Sequence, residues 1–356
     1  MTSLLILAVA FLAGANGAND NFKGVAGLYG SGVAGYRSAL AWGCITTLAG
    51  SLLSAALATK LLSAFTGAGL LAPALALTPR FAAAVALGGA FSVALAAWRG
   101  LPISTTHALI GAMCGVGLFA DGGLRWATLS GSFLLPLLVS PLLAWVPARL
   151  LRAPLLRLAA WAGSRSVCAC AEPALVATQG QAMLLAPATL RLDRSAACEA
   201  DGAPALVRLD ARRMIDWLHW GAAGAVGFAR GLNDTPKIAA LLMALAMPPQ
   251  LAVSLVGVGM LLGALLGARR VAHTLARRIS RLQVGDALAA SLTTAALVGS
   301  ASFDGLPVST THVAVGALAG AGRSPDRGVL GGIVAAWVVT LPLGAAFGAA
   351  AYRLLS

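Results

Sequence analysis

The sequence predicts an all-α polytopic membrane protein built from two inverted-topology repeats of about five membrane segments each, with broken helices near the midplane. Three observations predict it. Of the 356 residues, 59% are hydrophobic and only 10% charged, where a soluble domain carries about 25% charged residues. Several apolar stretches reach the roughly 20 residues that cross a bilayer as a helix, and they show no two-residue alternation of the kind a membrane barrel requires. Two motifs recur in the same order in the two halves of the chain.

The expected spans lie near 3–28, 38–59, 80–98, 101–119 and 126–146 in the first half. In the second half they lie near 216–246, 250–268, 284–300, 305–321 and 328–351. The Gly- and Pro-rich segment 61–79 reads as an interfacial or broken connector. This divides the chain into a first membrane repeat (1–146), a connecting segment (147–214) and a second repeat (215–356). The part of the connector from about 164 to 205 is compatible with a small folded flap or with a loop.

Gly17-Ala18-Asn19-Asp20 matches Gly231-Leu232-Asn233-Asp234, and Gly100-Leu101-Pro102-Ile103-Ser104-Thr105-Thr106-His107 matches Gly305-Leu306-Pro307-Val308-Ser309-Thr310-Thr311-His312. Seven of the eight positions of the second pair are identical, which implies a duplicated structural unit. An odd number of passes per half makes the second half enter from the opposite face.

Charge supports that topology. The formal net charge is +13, and most of it falls between spans. With both termini outside, the cytoplasmic segments hold Arg37, Arg99, the Arg residues of 149–213, the Arg269, Arg270, Arg277, Arg278 and Arg281 cluster, and Arg323 and Arg327. The outside keeps Lys60, Arg80, Arg125 and Arg353. This is the positive-inside bias of a multi-pass cell-membrane protein, with 147–214 cytoplasmic and its Arg149, Arg152 and Arg157 near the anionic inner leaflet. The basic residues are interrupted by spans and form no continuous stripe, so no nucleic-acid partner is expected. Met1 to Ala15 lacks the basic flank of a cleaved signal.

Ionisable groups inside a membrane are costly and mark function by default. Asp20 and Lys23 lie in the first motif, and Arg230, Asp234 and Lys237 in the second, beside the helix breakers Gly14, Gly17, Gly24, Gly231 and Pro236. A single Asp–Lys pair three residues apart could serve packing alone; the same Asn-Asp-x-x-Lys spacing in both halves favours an ion-handling role. In each Gly-Leu-Pro-x-Ser-Thr-Thr-His segment, Pro and the hydroxyls mark a helix N-terminus, where free N–H groups suit an oxyanion. The hydroxyls could equally cap helices or bond across them. His107 and His312 could donate to an anion, take part in proton coupling, or cap neighbouring carbonyls. Cys168-x-Cys170 with Cys198 is a weak zinc pattern lacking a nearby His, so no metal and no organic cofactor is expected.

The paired motifs resemble those of the inorganic phosphate transporter (PiT) family, over nearly the whole chain outside 147–214. The resemblance implies a symporter that moves phosphate with a coupling cation, H⁺ or Na⁺, and a homodimer in the lipid bilayer. It implies that Asn19, Asp20, Asn233 and Asp234, with Ser104, Thr105, Thr106, Ser309, Thr310 and Thr311, line the substrate and cation sites. The family also contains sulfate permeases. The chain departs from the family motif Gly-Ala-Asn-Asp-Val-Ala-Asn where Lys23 and Lys237 replace the last Asn of each copy. Two cations in the ion-binding motif favour charge compensation by lysine and proton coupling over sodium coupling. Alternative readings are a sulfate or other oxyanion permease, an anion channel, which would need a continuous polar pore, and an intramembrane hydrolase. The last is disfavoured, because Ser and His three residues apart make a poor triad.

Overall fold

A computed structural model describes residues 1–67, 69–120, 123–163, 166–172, 175–177, 183–185, 189–194 and 205–355. Its first half runs through α1 (Thr2–Asp20), α2 (Ala26–Gly30), α3 (Tyr36–Leu57), α4 (Thr59–Ala64), α5 (Pro73–Ala76), α6 (Pro79–Arg99), α7 (Thr105–Phe119), α8 (Trp126–Thr128) and α9 (Leu135–Gly163). The second half runs through α10 (Ala211–Ala239), α11 (Pro249–Gly267), α12 (Arg269–His273), α13 (Val284–Asp304), α14 (Thr310–Ala321) and α15 (Arg327–Leu354). Seven helical stretches among the described residues are long and apolar enough to cross a membrane. Their outward faces carry Leu138, Leu142, Leu266 and Val338, all exposed, as expected where lipid is the solvent.

The membrane halves are helical as the sequence predicts. The joining segment adds short strands: β1 (Ser166–Glu172), β4 (Thr189–Arg194) and β5 (Ala205–Asp210) form an antiparallel sheet in the order β4-β1-β5, and β2 (Leu175–Ala177) pairs with β3 (Met183–Leu185). The rest of 164–205 lies outside the described residues. The boundary expected at 146/147 falls inside α9, which continues past Pro147 and Pro154 to Gly163. A proline removes one helical hydrogen bond without forbidding the turns beyond it, and Arg152 on this extension is anchored by Asp286, 3.0 Å away. At the far end Asp210 caps α10, its Oδ1 accepting from the Arg212 N–H.

The two segments read as spans 101–119 and 305–321 are instead the return limbs of hairpins. α6 opens with Thr78 accepting from Phe81 N–H and with Pro79 in its first turn; α13 opens with a reciprocal Gln283–Asp286 capping box. Both close the same way. Gly100 (φ 69) and Gly305 (φ 77) adopt the left-handed conformation, and the next amides, of Leu101 and Leu306, bond back to Ala96 and Ala301. This is the Schellman closure that glycine permits. Leu-Pro-x-Ser then leads into α7 or α14, helices of 15 and 12 residues that fold back along α6 and α13. Gly88 of α6 lies against Ala112 of α7. At 1.5 Å per residue, α7 and α14 rise only about 22 and 18 Å, short of a bilayer.

The halves are interlocked. α7 packs on α15 and α14 on α9, so each hairpin is clasped by the last long helix of the other half; likewise α1 packs on α11 and α10 on α3. Glycines make these approaches possible. Gly111 and Gly115 of α7 face the Leu341 and Ala345 carbonyls, and Gly316 and Gly320 of α14 face those of Pro141 and Trp145. Small residues of this kind let helix backbones meet in lipid. A Cβ there would overlap backbone, so Gly111→Val or Gly316→Val should cost at least the 1–3 kcal/mol or so of an overpacked core and lower the yield of monodisperse protein in detergent. Gly331→Val, which meets nothing within 4 Å, should be neutral in the same assay. Equal losses for all three would refute the helix pairing.

Candidate functional site

The duplicated motifs meet at the tips of the hairpins. α1 gives way at Asp20 to a tighter turn over Asn21–Lys23, whereas α10 runs unbroken through Asn233 and Asp234 to Ala239 before tightening over Ala240–Leu245. The break expected around Gly231 and Pro236 therefore falls several residues later. The helix persists there because Leu232, Ile238 and Ala239 are all packed in the core.

Asn19 grips the first tip, with Nδ2 donating to Leu101 O (2.9 Å) and Oδ1 accepting from Ile103 N (3.2 Å). Asn233 Nδ2 donates to Val308 O (3.2 Å) at the second. The Lys23 ammonium bonds Asp20, Ile103 O (3.0 Å) and the Thr311 hydroxyl. The Lys237 ammonium bonds Val308 O (2.7 Å) and Thr106 Oγ1 (3.0 Å), with Asp234 Oδ1 at 3.7 Å. Each lysine thus holds its own half's hairpin tip and a threonine of the other half. Thr105 and Thr310 hydroxyls lie 3.4 Å from Asp20 Oδ2 and Asp234 Oδ2.

Ser104 and Ser309 play a different part. Their hydroxyls accept from the His107 and His312 amides (3.1 and 3.3 Å), capping α7 and α14. The amides one and two residues beyond each cap, those of Thr105, Thr106, Thr310 and Thr311, have no carbonyl within the helix to bond. The imidazoles of His107 and His312 lie together with ring centroids 4.7 Å apart, and His312 lies against Trp337 with centroids 3.8 Å apart and the rings tilted by 32°. His312 Nδ1 bonds Leu137 O at 2.8 Å, the carbonyl-capping role, while His107 Nδ1 is buried without a partner among the described residues.

Arg230, which the sequence marks as an intramembrane ionisable group of the second motif without assigning it a role in binding or coupling, belongs to this cluster. It is fully buried and donates to Asn16 Oδ1 (2.5 Å), Asn21 Oδ1 (2.8 Å) and Thr47 Oγ1 (3.3 Å). Its Nε lies 3.5 Å from Asp234 Oδ2, an ion pair without hydrogen-bond geometry. The signal was present: Arg230 precedes Asp234 by four residues as Asn16 precedes Asp20, and Asn16 Nδ2 does bond Asp20 Oδ2 (3.3 Å). At this homologous position the halves therefore carry Asn in one and Arg in the other. Asp20 and Asp234 face Lys23, Lys237 and Arg230, and none of the five is more than 5% exposed. The buried cluster carries one cation in excess and aims ammonium groups, hydroxyls and helix N-termini at a common place. That donor set suits an oxyanion.

Among the described residues no group of three His, Cys, Asp or Glu could hold a metal. Cys198 lies outside the described residues, as do the side chains of Cys168 and Cys170.

A fold of this kind, with apolar spanning helices around a buried ionic cluster, defines a multi-pass membrane protein. The chain belongs to the phosphate transporter family, whose family model matches residues 16–348. A Mycobacterium bovis protein named "Probable low-affinity inorganic phosphate transporter" is 28% identical over 372 aligned positions, covering 99% of this chain and 77% of the relative. A Bacillus subtilis protein of the same name is 37% identical over 100 positions, 27% of this chain and 30% of the relative. Among solved structures, one titled "The sodium-dependent phosphate transporter" superposes with a TM-score of 0.74 at 22% identity, covering 99% of this chain and 98% of the other. That likeness speaks for the fold. These relatives are transporters rather than enzymes.

Proposed function

We propose that this protein carries inorganic phosphate across the cytoplasmic membrane as a secondary transporter, coupled to protons in preference to sodium. The observation that carries the reading is the meeting of both Asn-Asp-x-x-Lys segments with both Ser-Thr-Thr helix starts in one buried, net-cationic cluster. The names of the relatives point to the same substrate.

In this reading the two halves are inverted repeats. The matched pairing of α1 with α6 and α10 with α13, and the exchanged clasps, support it. The hairpins add no net crossing; subtracting their two limbs from each half leaves the number of passes odd, so both termini stay outside and the connector stays cytoplasmic. The backbone irregularities at Asn21–Lys23 and Ala240–Leu245 serve as the broken helices of a transport pathway. The protein works as a homodimer, as the family resemblance implies.

The phosphate lies between the two hairpin tips. It takes hydrogen bonds from Thr105, Thr106, Thr310 and Thr311, while Ser104 and Ser309 hold the helix ends in place. It displaces the crossed Lys23–Thr311 and Lys237–Thr106 contacts, so binding and loosening of the closed site are one event. Asn19 and Asn233 position the tips, Asp20 and Asp234 hold the lysines, and the His107–His312 pair lies against the anion-facing helix ends. Saturable uptake of labelled phosphate into proteoliposomes, with weaker competition by sulfate, tests the substrate. Sulfate outcompeting phosphate would reassign it. Double Thr105→Val/Thr106→Val or Thr310→Val/Thr311→Val changes each remove charge-assisted bonds worth roughly 1.5–3 kcal/mol apiece. Apparent phosphate affinity should weaken at least about tenfold; unchanged affinity would leave these threonines with a packing role only.

A further inference from the structure

Phe22, adjacent in sequence to Lys23, is buried and faces away from the ionic cluster into two tyrosines. It stacks on Tyr36 with ring centroids 5.3 Å apart and meets the edge of Tyr29 at 5.7 Å. Tyr29 and Tyr36 touch edge to face at 6.0 Å. On the far side of these rings is a cavity of about 710 Å³, lined by Tyr29, Tyr36, Arg37, Arg269 and His273 among others. Arg277 lays its guanidinium over Tyr29, 4.8 Å from the ring centroid. Among the described residues no carboxylate lines the cavity, and Arg37, Arg269 and His273 are exposed, with no ion pair to another described residue. A single aromatic layer thus separates a basic basin from the residues next to the buried Asp20–Lys23 pair.

The basin draws on both halves of the chain. Arg37 lies in the first turn of α3 and Arg269 begins α12, and the chain just before the one meets the chain just after the other where Gly30 approaches the Ala276 carbonyl. It also lies where charge placement puts the cytoplasmic face. Its chemistry is that of an anion trap: fixed positive charge in a concave, aromatic-walled space focuses the field and raises the local concentration of anions.

We propose that this cavity is the cytoplasmic vestibule of the transport path, where Arg37 and Arg269 collect free phosphate one aromatic layer from the central site. The proposal rests on the phosphate-transport reading above and adds a second, shallow anion station outside the residues of the family motifs. A vestibule of this kind acts on capture from one face. The central threonines and lysines act on phosphate from both.

The experiment compares initial uptake of labelled phosphate, at sub-saturating concentration, by inside-out and right-side-out membrane vesicles containing the full chain. The double variant Arg37→Gln/Arg269→Gln should lose about tenfold in rate in inside-out vesicles at low ionic strength, within the range that electrostatic steering spans. The deficit should shrink in high salt, and right-side-out uptake should be unchanged. Lysine at both positions should restore most of the rate. Equal uptake by wild type and the Gln variant from the cytoplasmic face overturns the proposal, as does an equal loss from both faces. Proteoliposomes of neutral lipid form the second arm. If the Gln variant's deficit disappears there and returns on adding anionic lipid, the arginines hold lipid headgroups and the vestibule reading falls. A wild-type chain that moves phosphate from neither face overturns the transport reading itself, and the vestibule with it.

Discussion

Neither Asp20→Ala nor Asp234→Ala is expected to support phosphate uptake above background, and Asp20→Ala should lose it while still inserting in the membrane in normal amount. Each carboxylate is the anionic partner of a buried lysine. Removing it strands a cation away from water, and breaking one side of a buried pair costs about 3–5 kcal/mol. In this site that cost falls on the hairpin tips. Lys23 bonds Ile103 O and Lys237 bonds Val308 O, so a lysine released from its Asp has no fixed direction and the tip loses its anchor. The halves should differ in degree. Asp20 has Asn16 one turn earlier, a neutral donor, while Asp234 has Arg230. Asp234→Ala strands two cations and should hurt folding as well as transport; Asp20→Ala should be the cleaner transport mutant. The measurements are labelled-phosphate uptake and the quantity of inserted protein for each variant. Normal uptake by either single mutant would rule out a role shared by the two halves.

Phosphate uptake should persist without sodium and should follow an imposed proton gradient. The ammonium groups of Lys23 and Lys237 lie on the motif carboxylates, the natural seats for a coupling cation. Phosphate carries between one and two negative charges near neutral pH, because its second ionisation falls close to neutrality. Carrying two of them into a cell at 100 mV, negative inside, costs about 4.6 kcal/mol at about 2.3 kcal/mol per charge. A tethered lysine cannot offset this over a cycle, because it returns with the empty carrier. Mobile cations must drive accumulation, and protons need no dedicated coordination shell. Lys23→Asn with Lys237→Asn should restore a response to sodium if the lysines occupy cation seats. An absolute, saturable sodium requirement in the wild type, with indifference to a proton gradient, would make the lysines peripheral.

Much of this site was legible in one sequence because duplication acted as an internal control. The Asp-Lys spacing and the Ser-Thr-Thr-His segments occur twice, and the structure brings all four copies together. The limits of that reading have physical causes. Residues 101–119 and 305–321 are apolar enough to resemble spans; what makes them hairpin limbs is the left-handed Gly100 and Gly305, whose meaning depends on where the chain goes next. The boundary placed at 146/147 falls in a helix that continues past Pro147 and Pro154, and Pro236 suggested a break nearer the motif than the one that forms. Arg230 was visible as an ionisable group of the second motif but received no role, because the roles followed identities between the halves and its counterpart is Asn16. The crossed contacts, Lys23 to Thr311 and Lys237 to Thr106, join residues far apart in sequence, and no local pattern encodes them.

The exchanged clasps have a consequence for biosynthesis. α7 presents Gly111 to Leu341 of α15, so the first hairpin meets its mate only after ~230 more residues have been made, roughly 10–45 s at 5–20 residues per second. During that interval its glycine face has only lipid or other protein to lie against. The second hairpin has no such wait, since α9 is already in place when α14 emerges. Insertion of this protein should therefore be least secure in its first half and late in translation. A chain truncated before Arg327 should leave α7 accessible to protease or to cysteine labelling, while α14 is already shielded by α9.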